Sequence, residues 1–126
     1  MEWMLKLAWL TLAAVHLPPA AVIAMPHLTD KLYGVSSSAD AGTLIVHRGA
    51  MFLGIVVLAS MAAFDEGTRR AASLVIALSV VGFLGVYGRA GWPEGPLRTI
   101  AIVDALAILP LALVSWHAWT TTGQTP

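Results

Sequence analysis

Cysteine is absent from this 126-residue chain, which excludes a disulfide framework, a thiolate nucleophile, an iron–sulfur cluster and Cys-ligated zinc. Charge is scarce as well: seven Lys and Arg balance seven Asp and Glu, only 11 % of the sequence, against about 25 % in an ordinary soluble domain. With a net charge of zero and no basic run, nothing here offers an electrostatic footprint to nucleic acid. What is present is apolar. Hydrophobic residues make up 58 % of the chain, more than a domain of this size can hide from water, so the excess faces lipid. The same composition excludes disorder, a coiled coil and collagen.

A membrane span needs about 20 apolar residues, because roughly 30 Å of hydrocarbon is crossed at about 1.5 Å per helical residue. Four stretches reach that length, at about 7–25, 43–64, 71–88 and 99–119. They are continuously apolar rather than alternating, which selects helices over barrel strands. The chain therefore reads as one all-α membrane domain, 1–126, an antiparallel four-helix bundle with both termini on the same side. The connection 65–70 is barely a turn and makes the second and third spans neighbours. The segment 26–42 reads as a loop rich in Ser, Gly and Asp, and 120–126 as a polar tail. Between the last two spans lies Gly91-Trp92-Pro93-Glu94-Gly95-Pro96, a stiff, kinked connection.

Aromatics mark two interfaces, Trp3, Trp116 and Trp119 at the terminal side and Tyr33, Tyr87 and Trp92 at the other. Lys6, Arg69 and Arg70 oppose Lys31, Arg89 and Arg98, so the positive-inside count is tied and selects no orientation. Lys6 ahead of an apolar run, with Val22-Ile23-Ala24 after it, also fits a signal peptide. Glu2 spoils the basic start that such a peptide has, and the segment is read as a span.

Polar groups inside a span cost about 2.5–3.5 kcal/mol each when charged, so each needs a partner or a purpose. Four qualify: His16, His47, Arg48 and Asp104. His47, Arg48 and Asp104 lie about one turn inside helices that start on the side away from the termini, and His16 lies deeper. Tyr87, Arg89 and Trp92 reach the same side. Pro18 and Pro19 release the carbonyls of Ala14 and Val15 beside His16, which predicts a kink and a place where a cavity takes up the freed groups. The convergence predicts a site in which His47, Asp104 and His16 carry acid/base chemistry and Arg48, Tyr87, Arg89 and Trp92 bind substrate. Three blander readings stand beside it: hydrogen-bonded core histidines, an Arg48–Asp104 ion pair that merely locks two helices, and His16 with His47 as haem ligands. No metal site is expected, since no His-x-x-x-His pair exists and Met25-Pro26-His27 falls short of a copper site. Ser79, Gly82, Gly85 and Gly88 recur at three-residue steps and read as a helix contact surface, within one bundle or between protomers.

The kinked first helix, the Leu32-Tyr33-Gly34 turn, His47-Arg48 ahead of a Gly/Ala-rich second span and an acidic residue early in the fourth resemble the small bacterial four-helix membrane proteins of the DoxX-like kind. The resemblance implies a multi-pass protein of the bacterial inner (plasma) membrane and a lipophilic, redox-active ligand such as a quinone. Thiol-based sulfur chemistry is excluded by the missing cysteine. The leading expectation is a protein that binds or transforms a lipophilic small molecule, of quinone, isoprenoid, epoxide or carbonyl type, by acid/base chemistry. The alternatives are an accessory subunit of a larger membrane complex, a haem protein using haem b, and a small transporter that encloses its path as a homo-oligomer.

Overall fold

The four apolar runs form the four long helices of the computed structural model, which describes residues 1–121. They are α1 (Glu2–Ala21), α3 (Asp40–Phe64), α4 (Arg69–Arg89) and α5 (Pro96–Thr120), and no strand occurs among the described residues. Each is long and apolar enough to cross a membrane. Of the polar tail, residues 122–126 lie outside the described residues.

Helix α1 starts and ends several residues earlier than its apolar run suggests. It continues through Pro18 and Pro19 and stops at Ala21, where Ile23, Ala24 and Met25 turn back on the carbonyls of Ala20 and Ala21. The segment expected to be a loop contains a short helix, α2 (Leu28–Tyr33). Gly34 ends it in the left-handed conformation, at φ 67°, with its N–H donating to the Asp30 carbonyl at 2.8 Å. A side chain would be strained there, which is why the turn uses glycine. Between α3 and α4 a single 3-10 turn, Glu66–Thr68, suffices. The Asp65 carboxylate accepts from the Gly67 N–H and from the Thr68 hydroxyl, and the second of these bonds chiefly holds its pKa below the ordinary value.

Contacts are most extensive between α1 and α3, then α4 and α5, then α1 and α5, then α3 and α4, while α1 with α4 and α3 with α5 make few. The four helices thus form a square in which α1 and α4 are diagonal. Gly49 lets α3 and the end of α1 approach closely. A Cβ there would stand 2.7 Å from Val22 Cγ2 and 3.3 Å from the Pro19 carbonyl oxygen, so the bare backbone of α3 lets the proline-bearing end of α1 settle against it.

The core occupies one half of the bundle. Leu5, Trp9 and Leu12 of α1 meet Ala59, Ala62 and Ala63 of α3, Ala72, Ile76 and Val80 of α4, and Leu111 and Val114 of α5. Large apolar side chains such as Leu10, Leu44, Leu78 and Leu109 remain exposed around the outside.

Candidate functional site

Where the core stops, towards α2, a cavity of about 190 Å³ opens between the helices. Its floor is His16, which is 2 % exposed. His16 Nδ1 lies 2.8 Å from the Leu12 carbonyl oxygen, an atom that can only accept. Nδ1 therefore carries the hydrogen, and in the neutral ring Nε2 keeps the lone pair and accepts from the Ser79 hydroxyl at 3.2 Å. That bond crosses the diagonal from α1 to α4.

Above the floor stand aromatic walls, Phe52 of α3 and Phe83 of α4. The Phe52 ring lies 5.9 Å from the His16 ring, and the Arg48 guanidinium sits over it at 4.9 Å. Arg48 is one turn before Phe52 on α3, so it marks the mouth. Asp104 and Thr99 arrive from α5, Leu32 and Tyr33 from α2, and Pro18 and Pro19 from α1. Burial raises the pKa of the Tyr33 hydroxyl, with Arg48 pulling the other way and Asp104 adding to the rise, so the phenol stays protonated and can donate.

The expected Arg48–Asp104 ion pair does not form. The two side chains line one cavity, yet among the described residues neither enters an ion pair within 4.0 Å or a side-chain hydrogen bond. The clasp of this bundle lies at the opposite end. Arg69 grips Glu2 through both terminal nitrogens at 3.0 and 3.1 Å and donates from Nε to the Ala62 carbonyl at 3.0 Å. Arg70 donates to the Ala118 carbonyl and lies over the Trp119 ring, whose indole N–H donates to Ser73.

Of the residues singled out from sequence, His16, Arg48 and Asp104 meet in the cavity and the others do not. His47 is exposed on α3 and does not line it, so the two histidines that a haem would need are not brought together. Tyr87 is buried but faces the 89–96 connection, where its hydroxyl donates to the Pro93 carbonyl at 2.8 Å and its ring meets Trp92 edge-on at 5.6 Å. This contact holds Trp92 at φ 59°, a conformation rare for a side-chain-bearing residue. Arg89 borders a shallow groove on the outer face of α4 with Leu78, Gly82 and Gly85. Among the described residues no cluster of three His, Asp or Glu is placed to hold a metal ion.

Sequence reasoning missed Tyr33, Ser79, Thr99, Phe52 and Phe83 as cavity residues. Tyr33 was legible as an interface aromatic and as part of the Leu32-Tyr33-Gly34 turn, and the phenylalanines are indistinguishable from core residues without the azimuth of each helix. Against protein-family models, curated proteins and solved structures alike, this chain finds no match.

Proposed function

We propose that this chain is a multi-pass protein of the bacterial inner membrane, an antiparallel four-helix bundle of the DoxX-like kind, whose cavity binds and transforms a lipid-soluble small molecule. The observation that carries this reading is the cavity itself, in which Arg48, exposed at the mouth over the Phe52 ring, and half-buried Asp104 come from two helices of an otherwise apolar bundle without an ion pair or side-chain hydrogen bond among the described residues. Unpaired charges in such surroundings are costly, and a ligand that engages both offsets that cost. The chemistry is acid/base. Asp104 takes a proton, the guanidinium of Arg48 and the hydroxyl of Tyr33 stabilise the oxygen that gains charge, and Phe52 and Phe83 hold the apolar body.

The test is mass spectrometry of organic extracts from protein purified in mild detergent. Wild-type chain is expected to carry a low-mass lipophile that the Arg48→Met/Asp104→Leu double variant lacks. Equal extracts from both would overturn the reading. A second reading, an accessory subunit of a membrane complex, draws on the open groove along α4, where a Cβ added at Gly82 or Gly85 would touch nothing. It predicts that the double variant is tolerated without loss of function.

A further inference from the structure

The polar groups of the cavity restrict what fits there, if the cavity is a ligand site as proposed. Arg48 offers several N–H donors and no acceptor, and Asp104, when ionised, offers acceptors and no donor. They line one space without meeting. An anionic ligand would satisfy Arg48 while facing the Asp104 carboxylate, and a cationic one would satisfy Asp104 while facing the guanidinium. A zwitterion would satisfy both at the cost of carrying two charges into an apolar space. One neutral oxygen that accepts and donates at once satisfies both without importing charge, and a hydroxyl is the smallest such group.

Size and shape narrow the class further. The cavity of about 190 Å³ is somewhat larger than the roughly 150 Å³ that admits one benzene ring. Its walls include the aromatic side chains of Phe52 and Phe83, which favour an apolar body with a ring that can stack or meet them edge-on. Phe52 stands between the polar mouth and the polar floor, 4.9 Å from the Arg48 guanidinium and 5.9 Å from the His16 ring, so a ring beside it reaches both.

We infer that the occupant is a neutral, single-ring lipophile bearing a hydroxyl of the phenol or enol class, whose oxygen accepts from Arg48 and whose hydrogen is donated to Asp104. Any alkyl tail leaves by the mouth, past Thr99 and Tyr33. The hydroxyl is thereby held with its acidic hydrogen on a base and its oxygen on a cation.

The experiment uses the full chain in phosphatidylcholine nanodiscs with four probes: para-propylphenol, its methyl ether, propylbenzene and para-propylbenzoate. Saturation-transfer NMR reads binding, and nanodiscs holding the Arg48→Met/Asp104→Leu variant supply the bilayer background. The phenol is expected to bind saturably and at least about tenfold tighter than the ether, since only it donates to the carboxylate, and hydrogen bonds to charged groups carry that much. The double variant is expected to lose the preference while Glu94→Gln, on the exposed 89–96 connection, keeps it. The phenol-to-ether ratio in the wild-type chain stands even if the double variant fails to fold. Equal binding of phenol and ether, or a preference for the benzoate, overturns the hydroxyl class and leaves a lipophile site. Saturable binding of none of the four overturns the inference, and extracts that are also alike in wild type and variant remove the reading beneath it.

Discussion

The two ends of this bundle hold similar inventories of charge and treat them in opposite ways. At the terminal end, Arg69 is 5 % exposed and spends its donors on Glu2 and the Ala62 carbonyl, directly beside the close-packed core of Leu5, Ala59, Ala62 and Ala72. At the α2 end, Arg48 and Asp104 face a cavity and leave their donors and acceptors unspent. A chain that can close one arginine so completely has no need to leave another open for stability. On the proposed function, the difference separates a structural end from a ligand-binding end, and the core fills the half that the proposed ligand does not use.

The sharpest way to break this comparison is to remove each arginine in turn. Arg69→Ala strands the Ala62 carbonyl and half-exposed Glu2, and is expected to lower unfolding stability in detergent by about 2–3 kcal/mol, less than for a fully buried pair because solvent screens Glu2. Arg48→Met loses only a contact with the Phe52 face and is expected to change stability by no more than about 0.5 kcal/mol. Equal losses in the two variants would erase the distinction. An effect between these two is expected at the cavity floor, where Ser79→Ala leaves His16 Nε2 buried without its donor and costs about 1 kcal/mol in the same assay. The smallest concerns the 65–70 turn. The Asp65 pKa is lower in the folded chain than its ordinary 3.8, so its contribution is fully present above that pH and is lost as pH falls through the folded value. Both wild type and Asp65→Asn lose the Glu2 contribution in acid, and wild type is expected to lose slightly more as pH falls below 3.8, read as the difference between their thermal unfolding across an acid series.

Length and hydropathy made the four helices legible, because crossing hydrocarbon leaves little freedom in how an apolar run is arranged. Depth was legible too, and His16, Arg48 and Asp104 do share one region. Azimuth was not. His47 and Arg48 are both exposed but, being adjacent in sequence, lie about 100° apart around α3, so only Arg48 borders the cavity. The Ser79, Gly82, Gly85 and Gly88 series fails as a single surface for the same reason: each three-residue step falls about 60° short of a full turn. Ser79 points to His16, Gly82 and Gly85 face open space, and Gly88 meets Trp92. The Arg69–Glu2 clasp joins positions 67 apart, a separation at which no helical periodicity carries information. Helix α2 escaped notice because six residues are too few to show a period.

The bond between His16 and Ser79 has one more implication. It ties two opposite helices that otherwise share little contact, and it does so through a ring whose second nitrogen is already committed to Leu12. A molecule that reaches the floor must share or displace the Ser79 hydroxyl, so Nε2 trades one proton donor for another while Nδ1 stays unchanged. The nitrogen-15 resonance of that single atom is thus a built-in gauge of occupancy, readable in isotopically labelled protein without dye or mutation at the mouth.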